Sequence, residues 1–132
     1  MSTVGQIERR AQDRVLRLFR ESLAYEYLGN WGTRLGNSNI EIDLLVQNLR
    51  TRGYDDNLIN RALDKLKSDA SLGGGRNLYE ANRDVYNLLR YGVKVRPGIG
   101  EQTETVWLID WATPEANHFA VAEEVKIGRA HV

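Results

Sequence analysis

Asp110 stands 14 residues ahead of Glu124, which is followed by Val125 and Lys126. Two carboxylates and a lysine at the ends of adjacent strands are the ingredients of a magnesium-dependent nuclease. The carboxylates would hold the cation, and the lysine would position or activate a water. An E-x-K spacing also arises by chance in any charged chain, and Asp110, next to Trp111 and a loop, suits a turn equally well. His118 and His131 are the only histidines and there is no cysteine. A thiolate or histidine zinc site therefore lacks partners at ligand spacing, and both histidines read as surface residues. Gly73–Gly75 lacks the lysine and the preceding strand of a phosphate-cradling loop and reads as a linker between helices.

A second candidate is electrostatic. Arg9, Arg10, Arg14, Arg17 and Arg20 fall within twelve residues, partly offset by Glu8, Asp13 and Glu21. Arg10, Arg14 and Arg17 follow one helical face and could meet DNA phosphates; a solvated helix wall laced with ion pairs is the plainer reading. Trp31, after Gly29-Asn30, could stack a base or a partner chain, or could close a lid over the core.

The elements that must position these groups follow from periodicity. Ile7, Ala11, Val15, Leu18 and Phe19, recurring at helical spacing, predict a first helix from Gln6 to about Glu21. Alternation over Leu23–Leu28 predicts a strand that breaks at Gly29-Asn30. Asn39 is expected to cap a helix to about Arg52, with Glu41 and Asp43 in its first turn. Asp55 or Asp56 opens the next helix, about 56–69, with Leu58, Ile59, Ala62, Leu63 and Leu66 buried. Asn77 caps a helix to Tyr91, ended by Gly92, with Leu78, Ala81, Val85, Leu88 and Leu89 inward. A short strand over Val93–Arg96 follows. The alternating runs 105–110 and 118–125, joined by a loop, predict antiparallel neighbours, and the whole is an α+β or α/β arrangement.

Composition bounds the rest. The 132 residues make one domain at most, with 18 basic and 18 acidic side chains and an apolar fraction of 42%, which excludes a disordered chain. No apolar run is long enough to span a membrane, and the start MSTVGQIERR lacks the apolar core of a signal peptide. With no cysteine to cross-link, a cytoplasmic protein without membrane contact is expected.

The stretches YEYLGNW (25–31), SNIE (38–41), RGY (52–54), LYEANRDVYNLLRYGVKV (78–95), ETVWLIDW (104–111) and FAVAEEV (119–125) carry a resemblance. Over about residues 7–126 the chain resembles the N-terminal region of the R (restriction) subunit of type I restriction endonucleases. That resemblance implies the helical layer and first strands of a PD-(D/E)xK nuclease sheet, in a subunit that uses Mg²⁺ and ATP. It implies double-stranded DNA and the modification and specificity subunits as partners.

In such a sheet the strand bearing R-P-D, then a hairpin and the strand bearing E-x-K, should follow the segment resembling Phe119–Val125. The resemblance thus argues against Asp110, Glu124 and Lys126 as a catalytic set and implies no catalytic, metal or cofactor residue within 1–126. It leaves Glu41 at the position of an auxiliary acidic residue. Ile127–Val132 matches neither that continuation nor a strand and reads as translated sequencing adapter, so a truncated, inactive fragment is expected. The alternative is a standalone, non-catalytic interaction domain that uses the helical layer and the Trp31 region.

Overall fold

A computed structural model describes residues 3–127; the expectations for Arg129, His131 and the rest of the tail after Ile127 fall outside the described residues. The chain is a mixed α+β fold of two compact units, one formed by the segments up to Glu41 and from Phe119 onward, the other by Ile42–His118.

The first unit begins with helix α1, Thr3–Arg17, which passes into a π-helical turn, Leu18–Ser22. The amide of Leu23 donates to the Leu18 carbonyl across this wider turn, and that of Tyr25 to the Phe19 carbonyl. Ala24 then takes a positive φ of 57° and turns the chain into strand β1, Glu26–Asn30. The strand predicted at 23–28 is therefore displaced along the chain, because closing the π turn engages the amides of Leu23 and Tyr25. Gly29 and Asn30 lie inside it rather than ending it. Gly29, at φ 105°, sits beside a bulge: Tyr27 faces Val121 and Gly29 faces Ala122, leaving Leu28 as the extra residue. The partner strand is β4, Ala120–Glu123, and the pairing is parallel.

The apolar side of α1 does not close a core in this unit. Ile7 is 59% exposed, and Val15 and Leu18 are about half exposed. Phe19 and Phe119 instead pack around Tyr25, with ring centres 4.9 and 5.3 Å away.

The second unit holds helices α2 (Ile42–Thr51), α3 (Asp56–Ala70) and α4 (Leu78–Tyr91), and strands β2 (Val93–Val95) and β3 (Glu104–Val106). Helix α2 starts at Ile42, so Asn39 is not its cap, and Glu41 precedes it rather than lying in its first turn. The other starts follow the sequence. The Asp55 carboxylate accepts from the Leu58 amide at 2.9 Å, and the Asn77 side chain accepts from the Glu80 amide at 2.8 Å. All five apolar residues expected on the inner face of α3 are buried. On α4, Ala81 and Leu88 are buried, but Leu78, in the first turn, is exposed.

Gly92 ends α4 at φ 81°, and its amide donates to the Leu88 carbonyl. A Cβ there would lie 2.5 Å from Thr105 Cγ2 and 3.3 Å from the Trp107 ring, so only glycine fits. Strands β2 and β3 pair antiparallel, Val93 facing Val106, and both valines are fully buried.

The run 105–110 is thus corrected twice. Only its first two residues are strand, and they pair with β2. The expected antiparallel pairing of 105–110 with 118–125 does not occur, since β4 pairs with β1. The loop between is closed locally. Asn117 accepts from the Asp110 amide and donates to the carbonyls of Asp110 and Pro114, and the amide of Thr113 donates to the Asp110 carboxylate.

Candidate functional site

Two polar clusters and one cationic helix face make up the chemistry of the first unit. Period-2 alternation on β4 turns Glu123 inward, where its side chain is 6% exposed. Arg9 Nη1 and Gln12 Nε2 on α1 donate to Glu123 Oε1 at 2.8 and 3.1 Å, and Tyr27 Oη on β1 donates to Oε2 at 2.5 Å. Three donors favour the charged form, so the Tyr27 and Arg9 hydrogen bonds, followed by the Arg9 charge, hold the Glu123 carboxyl below its ordinary range against its partial desolvation. The reciprocal effects raise the Tyr27 phenol, mainly through its bond to Glu123, and the Arg9 guanidinium, through Glu123 and Asp13. Asp13 lies 3.2 Å from Arg9 on the next turn of α1.

This cluster forms one wall of an open cavity of about 640 Å³. Arg17 and Arg20 line it too, together with Tyr25 and Glu21, and the Arg20 guanidinium lies 4.3 Å from the Tyr27 ring centre. Among the described residues neither Arg17 nor Arg20 has a carboxylate partner.

The second cluster gathers around Trp31. Its backbone amide donates to the Glu123 carbonyl and its Nε1 to the Leu28 carbonyl. Arg34 stacks 3.7 Å from the ring centre and reaches Glu41 with two nitrogens, at 3.0 and 3.3 Å. Asn37, buried, accepts from Arg34 and donates to the Trp31 carbonyl. Trp31 is half-buried and tied to its own loop.

The sequence-derived candidates separate on this geometry. Arg10, Arg14 and Arg17 are exposed on α1, and only Arg17 reaches the cavity. Glu41 is engaged by Arg34. Asp110 caps the 110–117 loop in the second unit, whereas Glu124, at a positive φ of 58°, and Lys126 are exposed in the first. Among the described residues no group of three or more histidine and carboxylate side chains could hold a metal ion. His118 is exposed.

Sequence reasoning passed over Glu123 in favour of its neighbour Glu124. The available signal was alternation, because Glu123 shares a strand face with Val121 and a carboxylate on that face needs donors.

A family model described as Type I restriction enzyme R protein N terminus matches residues 6–131, past Lys126, where the quoted resemblance stops. No curated protein and no solved structure matches the chain. No described helix is long and apolar enough to cross a membrane. With nearly the whole chain covered by that one match, this protein belongs to the family of type I restriction enzyme R-subunit N-terminal domains.

Proposed function

We propose that this chain is the DNA-facing, non-catalytic portion of the nuclease domain of an R subunit. Its residues up to 126 supply the helical layer and first strands of a PD-(D/E)xK-type sheet. One observation carries this reading. Arg10, Arg14 and Arg17 lie along one exposed face of α1, and none of them has a carboxylate partner among the described residues, while Arg9 is engaged by both Glu123 and Asp13. Three free guanidiniums at helical spacing suit a row of phosphates and carry no base-reading geometry. The position is consistent with a cytoplasmic subunit whose DNA recognition comes from the modification and specificity subunits.

Glu41 is the auxiliary acidic residue in this reading, and Arg34 and Asn37 fix its approach. Mg²⁺ and ATP belong to the complete subunit, and no step of phosphodiester hydrolysis is assigned to residues described here.

Duplex binding tests the proposal. Anisotropy of a labelled duplex across a salt series should give a log–log slope that falls in magnitude by about 3 in the Arg10→Ala/Arg14→Ala/Arg17→Ala variant, near 0.9 per lost phosphate contact. An unchanged slope would remove α1 from the DNA interface. The chain should show no magnesium-dependent cleavage; cleavage abolished by Asp110→Ala would restore the rejected carboxylate set.

A further inference from the structure

The second unit carries a cluster of aromatic rings and cations that the proposed role of α1 does not use. At the end of α4, the Arg90 guanidinium lies 5.5 Å from the Tyr91 ring centre and 5.6 Å from that of Trp111. Trp111 is fixed in place, since its Nε1 donates to the Leu89 carbonyl at 2.9 Å. On the adjoining strand, Lys94 Nζ donates to the Tyr91 carbonyl and to Thr105 Oγ1, both at 3.0 Å, and lies 5.5 Å from the Trp107 ring centre. Trp107 is fixed in turn, by its backbone bond to the Tyr54 hydroxyl and by its seat against Gly92.

Anchoring of this kind normally accompanies burial, yet these rings remain open. Tyr91 is 58% exposed, Trp111 50% and Trp107 38%. Neither Arg90 nor Lys94 has a carboxylate partner among the described residues, so both cations are available to an anion.

We infer that Arg90, Tyr91, Lys94, Trp107 and Trp111 form a stacking site for single-stranded nucleic acid. Open aromatic faces accept unpaired bases regardless of sequence, and interleaved cations track the phosphates between them. A duplex keeps its bases stacked internally and would leave the rings unused. An acidic peptide would satisfy the two cations but give the three rings no role, so charge and aromatic content together favour the single strand.

The test uses the full 132-residue chain, labelled oligothymidylate, and two competitors, a duplex of equal length and polyglutamate. Oligothymidylate should bind and should quench tryptophan emission, and neither competitor should displace it at equal charge concentration. Arg90→Glu/Lys94→Glu, and Trp111→Ala, should each weaken binding roughly tenfold, and Arg90→Glu alone, which leaves the Lys94 hydrogen bonds to Tyr91 and Thr105 in place, should weaken it too. The Arg10→Ala/Arg14→Ala/Arg17→Ala variant should bind oligothymidylate as the parent does, which separates this site from α1. Three results would overturn the inference: no binding at low salt, equal displacement by polyglutamate or duplex, or undiminished affinity in the charge-reversed variant with an unchanged circular dichroism spectrum.

Discussion

Every buried apolar side chain among the described residues belongs to Ile42–His118, with Leu49, Ile59, Val93 and Val106 sealed completely. Among the described residues, the unit formed by the segments up to Glu41 and from Phe119 buries two side chains, Asn37 and Glu123, and both are polar. One unit is held mainly by area removed from water; the other, beside the Phe19, Tyr25 and Phe119 rings, encloses a hydrogen-bonded carboxylate. The difference separates two sources of order in one short chain. An apolar core tolerates changes of solution condition that leave its contacts intact. A carboxylate held by three donors depends on its charge, and so on pH.

The largest expected contrast comes from acid. The depressed pKa of Glu123 means that its contribution to the first unit is complete above the ordinary carboxylate value of about 4.3 and is lost as pH falls through the lower folded value. Amide exchange should show β1 and β4 losing protection in that window while α3 and β2 retain theirs. In Glu123→Gln the β1 and β4 amides should be less protected at neutral pH, and their loss of protection should no longer follow that window. Protection in β1 and β4 that ignores pH in the parent chain would break the comparison.

Truncation in the core is next. Ile59→Ala should lower the stability of Ile42–His118 by about 2–5 kcal/mol, read from the denaturant midpoint. The same kind of truncation at Val15, half exposed on α1, should stay within about 0.5 kcal/mol. Equal losses at the two positions would mean that α1 is packed as tightly as α3.

The smallest effect sharpens the picture of local control. Asn77→Ala removes the acceptor for the Glu80 amide and should cost about 1 kcal/mol, with fraying confined to the first turn of α4 by amide exchange. Fraying that spreads to Leu88 would show that the cap governs the whole helix.

Read from the chain alone, α3 was available with its cap narrowed to Asp55 or Asp56, α4 with its cap and its stop, and both with most of their inner faces, as was the family to which the chain belongs. An α-helix closes its hydrogen bonds within four residues, so Asp55, Asn77, Gly92 and the apolar spacing between them carry the information locally. The arginine face of α1 was legible for the same reason, being a matter of spacing along one helix. What tertiary structure decided is the pairing of Ala120–Glu123 with Glu26–Asn30, and with it the enclosure of Glu123 by Arg9, Gln12 and Tyr27. A strand finds its ladder on whichever edge lies beside it in space. The alternation of 118–125 therefore stated which residues face together but not against what. The bulge at Leu28 belongs to that same pairing of distant segments, and it is Glu123, rather than its neighbour Glu124, that meets Arg9, Gln12 and Tyr27 there.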